Sequence, residues 1–208
     1  MKLLIATNNA GKVREYQNIL RDLFPHLTLL TLREAGIEHD VEETGKTFEA
    51  NARLKAVEYA NLSGLPVIAD DSGLAVDALD GFPGVYSARW TGPTEADRNQ
   101  QLLAKMAHIP WEERGAKFVC TTVFRLPDGR EAVGYGEVAG RIGYEPRGEK
   151  GFGYDPLFVL PERGITMAEL SKEQKNLISH RGRAAHALAP QIVALLDNTS
   201  IRLATRQP

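Results

Sequence analysis

The chain has 208 residues, 43% of them hydrophobic, and 25 Lys and Arg against 27 Asp and Glu give a formal net charge of −2. That length buries a sizeable interior without a disulfide or cofactor for stability, and the balanced charge excludes a duplex-binding surface dominated by counterion release while leaving room for a local basic pocket that takes a small anion. The single cysteine, Cys120, sits in the apolar run FVCTTVF and has no partner for an internal disulfide, which points to a reducing compartment. The apolar start MKLLIA is too short for a secretory h-region, and no stretch reaches the length of a membrane-spanning helix. A cytoplasmic protein with no nucleic-acid and no membrane partner is expected.

Residues 2–6, KLLIA, read as a buried strand that ends at the turn-prone Thr7, Asn8 and Asn9. A helix follows, because Val13, Tyr16, Ile19, Leu20, Leu23 and Phe24 recur at helical spacing until Pro25 stops the pattern. LTLLTL, residues 27–32, is a second strand, and the acidic VEETGKTF leads into a helix over about 47–61 whose inward face is expected to be Ala50, Leu54, Val57 and Ala60. LPVIAD is a strand buried on both faces, followed by GLAVDAL as a further strand or hairpin arm.

Gly81, Pro83, Gly84, Gly92 and Pro93 mark a loop-rich stretch before a helix over about 95–107. AKFVCTTVFRLPDGREAVGYGEVAGRI alternates β-branched and aromatic residues around Pro127, Asp128 and Gly129, a hairpin signal. GYDPLFVLP holds a strand, and the stretch from Met167 to Leu196 is helical with a break near Ser179. The sum is an α/β fold with helices packed on a mixed sheet. The expected organisation is one domain of two lobes, a core lobe over about 1–110 and 160–208 and a second lobe over about 111–159.

Three groups of residues carry chemistry. Thr7, Asn8, Asn9, Ala10, Gly11 and Lys12 form a polar turn between a buried strand and a helix, which places backbone N–H groups, the positive end of a helix dipole and a mobile ammonium where phosphate oxygens bind. TNNAGK lacks the GxxxxGK(S/T) spacing of a P-loop, so on its own it is also an ordinary helix cap.

IADDSG, residues 68–73, ends a buried strand in two carboxylates, at the carboxyl edge where open α/β sheets bind ligands. Adjacent strand residues point opposite ways, so one of Asp70 and Asp71 reaches the ligand and the other braces its surroundings. Asp71 with one of Glu42 and Glu43 suffices for Mg²⁺, which takes one or two protein carboxylates plus water and phosphate oxygens, and Asp71 is placed to accept a proton from an attacking water. The residues do not match the DxDx(T/V) pattern of aspartyl-phosphate phosphatases.

Phe152, Gly153, Tyr154 and Asp155 offer aromatic faces on a backbone loosened by Gly148, Gly151 and Gly153, expected to be exposed for stacking on a flat heterocycle. Lys175, His180 and Arg181 add donors that suit an exocyclic carbonyl oxygen, favouring a 6-oxo purine over a 6-amino one. A core aromatic and a solvated basic helix face are the alternative readings of these segments.

In order, TNNAGK, EETGKTFEANARLKA, IADDSGLAVDAL, GFPGVYSARW, GFGYDPLF and EQKNLISHRG resemble the inosine triphosphate pyrophosphatases, also called noncanonical purine NTP or dITP/XTP pyrophosphatases, over nearly the whole chain. The resemblance implies hydrolysis of ITP, dITP and XTP to monophosphate and pyrophosphate with Mg²⁺, by a homodimer whose elongated mixed sheet and flanking helices form two lobes with the nucleotide in a cleft between them. It also implies that Thr7 to Lys12 are the triphosphate loop and Lys55 a phosphate-binding lysine. Glu43 and Asp71 become metal carboxylates, with Asp71 also the proton acceptor, and Asp70 matches an acidic position of the motif. Ser72 becomes a substrate contact, and Phe152 to Asp155, Lys175, His180 and Arg181 the base and sugar pocket. Many relatives have Gly where Asn8 stands, a position Asn fills because it tolerates unusual backbone angles. The alternatives are a related pyrophosphatase of the septum-formation-inhibitor type and a nucleotide-sensing module that binds without cleaving.

Overall fold

The computed structural model describes the backbone of residues 1–204 and the side chains of residues 1–197. Seven strands make one sheet in the order β2-β1-β3-β4-β5-β6-β7. They are β1 (Lys2–Ile5), β2 (Thr28–Thr31), β3 (Val67–Val76), β4 (Gly115–Arg125), β5 (Glu131–Ile142), β6 (Phe158–Leu160) and β7 (Ile165–Thr166). The helices are α1 (Ala10–Leu23), α2 (Phe48–Ser63), α3 (Glu95–Lys105), α4 (Lys172–Ile178) and α5 (His180–Ala204). The sheet is mixed, because β1 pairs in parallel with β2 and β3 while β6 pairs antiparallel with β5 and β7.

By internal contacts the described residues form two compact units, the first from Met1–Asp71, Thr121–Gly136 and the residues from Arg183 on, the second from Ser72–Cys120 and Glu137–Gly182. This division differs from the lobes expected at 1–110 with 160–208 and at 111–159. Its boundaries fall inside the continuous strands β3, β4 and β5 and the helix α5, rather than in the loops between elements.

In the first unit the alternation of β1 sorts its side chains onto two faces. Leu3 and Ile5 pack with Tyr16 and Leu20 of α1 and with Leu188 and Ile192 of α5, whereas Leu4 and Ala6 pack with Ala52, Ala56, Tyr59 and Ala60 of α2. Helices therefore cover both faces, as a strand that is apolar throughout requires. In the second unit one core joins Leu74 and Val76 of β3, Phe118 of β4, Val138 and Ile142 of β5, Phe158 and Leu160 of β6, and Leu102 of α3.

Two elements depart from expectation. β3 is one uninterrupted strand of ten residues, so Asp70 and Asp71 lie within it rather than at its end. The carboxyl edge belongs to β1, which stops at Ile5 opposite Ile68, leaving the two aspartates just past the parallel pairing. The inward face of α2 is also rotated, since Leu54 and Val57 are 39% and 37% exposed while Asn51 and Lys55 are buried. Polar partners beneath the helix draw those two side chains inward.

Candidate active site

In the first unit Asn9 caps α1, its side chain accepting the Lys12 N–H at 3.1 Å, and Thr7 Oγ1 accepts the Asn9 N–H at 3.2 Å. The first turn of α1 carries no acidic residue to neutralise its dipole. Asn8 Nδ2 donates to Asp40 Oδ1 at 3.0 Å. Among the described residues Asp80 is the one non-glycine with a positive φ, so Asn8 does not use the backbone freedom ascribed to it.

Lys12 reaches back to the buried Asp70, with Nζ 3.1 Å from Oδ2. Asp71 takes different partners, as the strand alternation requires. Its Oδ2 accepts from Asn51 Nδ2 at 2.9 Å, and its Oδ1 lies 4.0 Å from Lys55 Nζ. Lys55 also donates to Glu43, whereas the adjacent Glu42 is exposed.

Burial pushes the Asp71 carboxyl above the ordinary aspartate value of 3.8, against the opposing pull of Lys55 and Lys12. Burial pulls the Lys55 ammonium down, but the carboxylates of Asp70, Asp71 and Glu43 outweigh it and leave the group above its ordinary 10.5. A buried carboxyl with a raised pKa, beside fixed positive charge, has the properties of a general base.

Among the described residues no group of three or more His, Cys, Asp or Glu side chains converges as a metal cage. The donor set is two carboxylates, Glu43 and Asp71, with an ammonium between them. Two carboxylates suit a hard divalent cation that completes its shell with water and phosphate.

In the second unit Asp155 is buried, pairs with Lys175 and accepts the Phe152 N–H at 2.8 Å, which closes the FGYD segment on itself. A Cβ on Gly151, where φ is +79°, would lie 2.1 Å from Asp155 Oδ2, so glycine is required for that closure. Lys175 Nζ and Arg181 Cζ lie 4.8 and 5.7 Å from the centroid of the Phe152 ring. Arg181 also donates from Nη2 to Ser72 Oγ at 2.6 Å.

Ser179 caps α5, its Oγ accepting the Gly182 N–H at 3.1 Å, so His180 and Arg181 occupy the first turn of that helix. His180 stacks on Phe118 with centroids 4.8 Å apart. Lys175, His180 and Arg181 are all buried, which overturns the solvated-helix reading of this segment.

Tyr154 corrects an expectation. It is a core residue, its hydroxyl donating to Ser87 O at 2.8 Å and accepting from Trp90 Nε1 at 2.5 Å, whereas Phe152 is half-buried. Glycines loosen the backbone here, but the phenol finds its polar partners in the interior.

The structure thus gathers Thr7 to Lys12, Glu43, Lys55 and Asp71 in the first unit, and Ser72, Phe152 to Asp155, Lys175, His180 and Arg181 in the second. Sequence reasoning missed Asn51, which holds Asp71, and Asn99, whose Nδ2 donates to Gly153 O at 3.1 Å. Asn51 was findable, since it lies four residues before Lys55 and therefore on the same helix face.

A model of the Ham1 family matches residues 3–191. The chain is 52% identical over 185 residues to a dITP/XTP pyrophosphatase of Geobacter sulfurreducens, covering 88% of this chain and 92% of that protein. It is 51% identical over 189 residues to one of Thermus thermophilus, covering 90% of each. Among solved structures, the Staphylococcus aureus Ham1 protein superposes with a TM-score of 0.82 at 42% identity, covering 93% of this chain and 99% of that one.

Proposed function

The chain belongs to the Ham1 family, and on that premise we propose that it hydrolyses noncanonical purine nucleoside triphosphates, ITP, dITP and XTP, to the monophosphate and pyrophosphate. The observation that carries this reading is the buried Asp71 with its raised pKa, set between Asn51 and Lys55. A binding module has no need of a buried base.

In the proposed reaction a water attacks the α-phosphorus and gives its proton to the Asp71 carboxylate. The new P–O bond forms as the bond from the α-phosphorus to the bridging oxygen breaks, and that oxygen leaves with pyrophosphate. Lys12 and the N-terminal amides of α1 take up the charge on the leaving group, so catalysis is mainly positioning and electrostatic stabilisation. Glu43 and Asp71 would hold a divalent cation, proposed to be Mg²⁺, which when bound supplies charge neutralisation on the phosphate oxygens.

The residues of the second unit are proposed to bind the base and sugar of a nucleotide. Arg181 anchored by Ser72, and His180 stacked on Phe118, are pre-oriented donors for a purine 6-oxo group. A 6-amino group would leave such donors unpaired. No helix among the described residues is long and apolar enough to cross a membrane, and a cytoplasmic homodimer acting on the nucleotide pool is the proposed setting.

The test is pyrophosphate release from ITP, XTP, GTP and ATP, each with Mg²⁺ and with EDTA, in the wild type and in Asp71→Asn. Metal-dependent release from ITP and XTP, with little from the 6-amino nucleotide ATP and almost none from the variant, is expected, while GTP, which also carries a 6-oxo group, reads whether a 2-amino group is refused. Absence of pyrophosphate from every nucleotide overturns the catalytic reading, and near-normal turnover in Asp71→Asn overturns the assignment of the base.

A further inference from the structure

Asn51 is fully buried in the first turns of α2, in a site whose reacting groups lie elsewhere. Its Nδ2 donates to Asp71 Oδ2 at 2.9 Å, and its Oδ1 accepts the Gly45 N–H at 2.7 Å. The two partners fix the amide's orientation. A carboxylate accepts and a backbone N–H donates, so exchanging the oxygen and nitrogen of Asn51 would break both bonds.

The Gly45 end of this clamp is closely built. A Cβ on Gly45 would lie 2.6 Å from Asn51 Oδ1 and 2.8 Å from Ala50 Cβ. Gly45 also stands two residues after Glu43, which pairs with Lys55 one helical turn beyond Asn51. One side chain is thus bonded to β3 at Asp71 and to the loop that carries the second carboxylate.

We infer that Asn51 is a positioning residue for hydrolysis, holding the Asp71 carboxylate and the Glu43 loop in a fixed mutual register around Lys55. The inference rests on the reading of Asp71 as proton acceptor. With Oδ2 tied to the amide and Oδ1 turned toward Lys55, rotation of the carboxylate sacrifices the amide bond. A general base must stay within hydrogen-bond reach of its water, and a misplacement of ~1 Å costs about 100-fold in rate.

The residue type is specific. Aspartate at this position still accepts from Gly45 but has no proton to donate to Asp71, and leucine keeps the approximate shape with neither function.

The experiment compares wild type, Asn51→Leu and Asn51→Asp in the full chain, with steady-state kinetics on ITP, thermal unfolding, and amide exchange at Gly45. Both variants are expected to lose about 100-fold in kcat with KM within about threefold of wild type. Gly45 protection should be lost in Asn51→Leu and retained in Asn51→Asp. A folded variant that keeps kcat, or loses only in KM, overturns the positioning role. If Asn51→Leu does not fold, the kinetics of Asn51→Asp decide in the same way. If the wild type itself releases no pyrophosphate, the reading of the site has failed, and unchanged Gly45 exchange in Asn51→Leu would separately overturn the clamp.

Discussion

Lys55 shows how one buried side chain serves two ends. Its ammonium compensates Glu43 and Asp71 in the folded chain, and its proposed role in catalysis is to meet the phosphates. Replacing it by methionine leaves those carboxylates without their cation, and loss of one partner of a buried pair costs about 3–5 kcal/mol. The sign of the pH dependence follows from the shifts. Asp71, with a folded pKa above 3.8, favours the folded state while protonated, and that contribution disappears as pH rises through its raised value. Lys55, with a folded pKa above 10.5, contributes stability that is complete below that value and lost in strong alkali. The melting-temperature deficit of Lys55→Met against wild type should therefore be large at neutral pH and shrink as acid protonates Asp71. A deficit independent of pH would contradict the coupling. In the intact enzyme the acid limb of kcat/KM on ITP should lie above the ordinary aspartate range, because a base must be ionised to act. A limb at 3.8 or lower would contradict the burial of Asp71 as the controlling influence.

At the scale of elements, the turn between α4 and α5 is the tightest joint of the second unit. A Cβ on Gly182 would lie 1.8 Å from Asn176 O, so Gly182→Ala forces the start of α5 away from the end of α4. The expected cost is about 1–3 kcal/mol, typical of overpacking, with a larger KM for ITP because His180 and Arg181 shift with the helix. Unchanged stability and KM would show the joint to be compliant. Most elements were legible in the sequence because their signals are local. The run KLLIA ending at Asn9, the helical spacing closed by Pro25, and the turn at Pro127 to Gly129 each appear where read. The two failures have one cause. The face of α2 was misread because Asn51 and Lys55 are polar yet buried, and β3 was split because the adjacent Asp70 and Asp71 read as the end of a buried strand. Both are places where site chemistry overrides the hydrophobic pattern.

For the whole molecule, the proposed division of labour is testable without turnover. In the Asp71→Asn background, ITP should slow amide exchange in residues 7–12 and in residues 151–155, whereas inorganic tripolyphosphate, which lacks base and sugar, should protect the first segment alone. Protection of residues 151–155 by the ligand without a base, or no protection there by ITP, would contradict the assignment of base binding to that segment.

What the sequence determined by itself was the α/β class, the order of most elements and which residues are candidates for phosphate, acid and base-binding chemistry, since these depend on neighbours a few positions apart. Its motifs together also carried the family resemblance. Tertiary structure decided what each charged group faces. It set Glu43 against Lys55, separated Asp70 with Lys12 from Asp71 with Lys55, sent Tyr154 into the core and brought in Asn51. Those pairings join residues far apart in the chain, and burial and desolvation, which give Asp71 its raised pKa, exist only once the chain has packed.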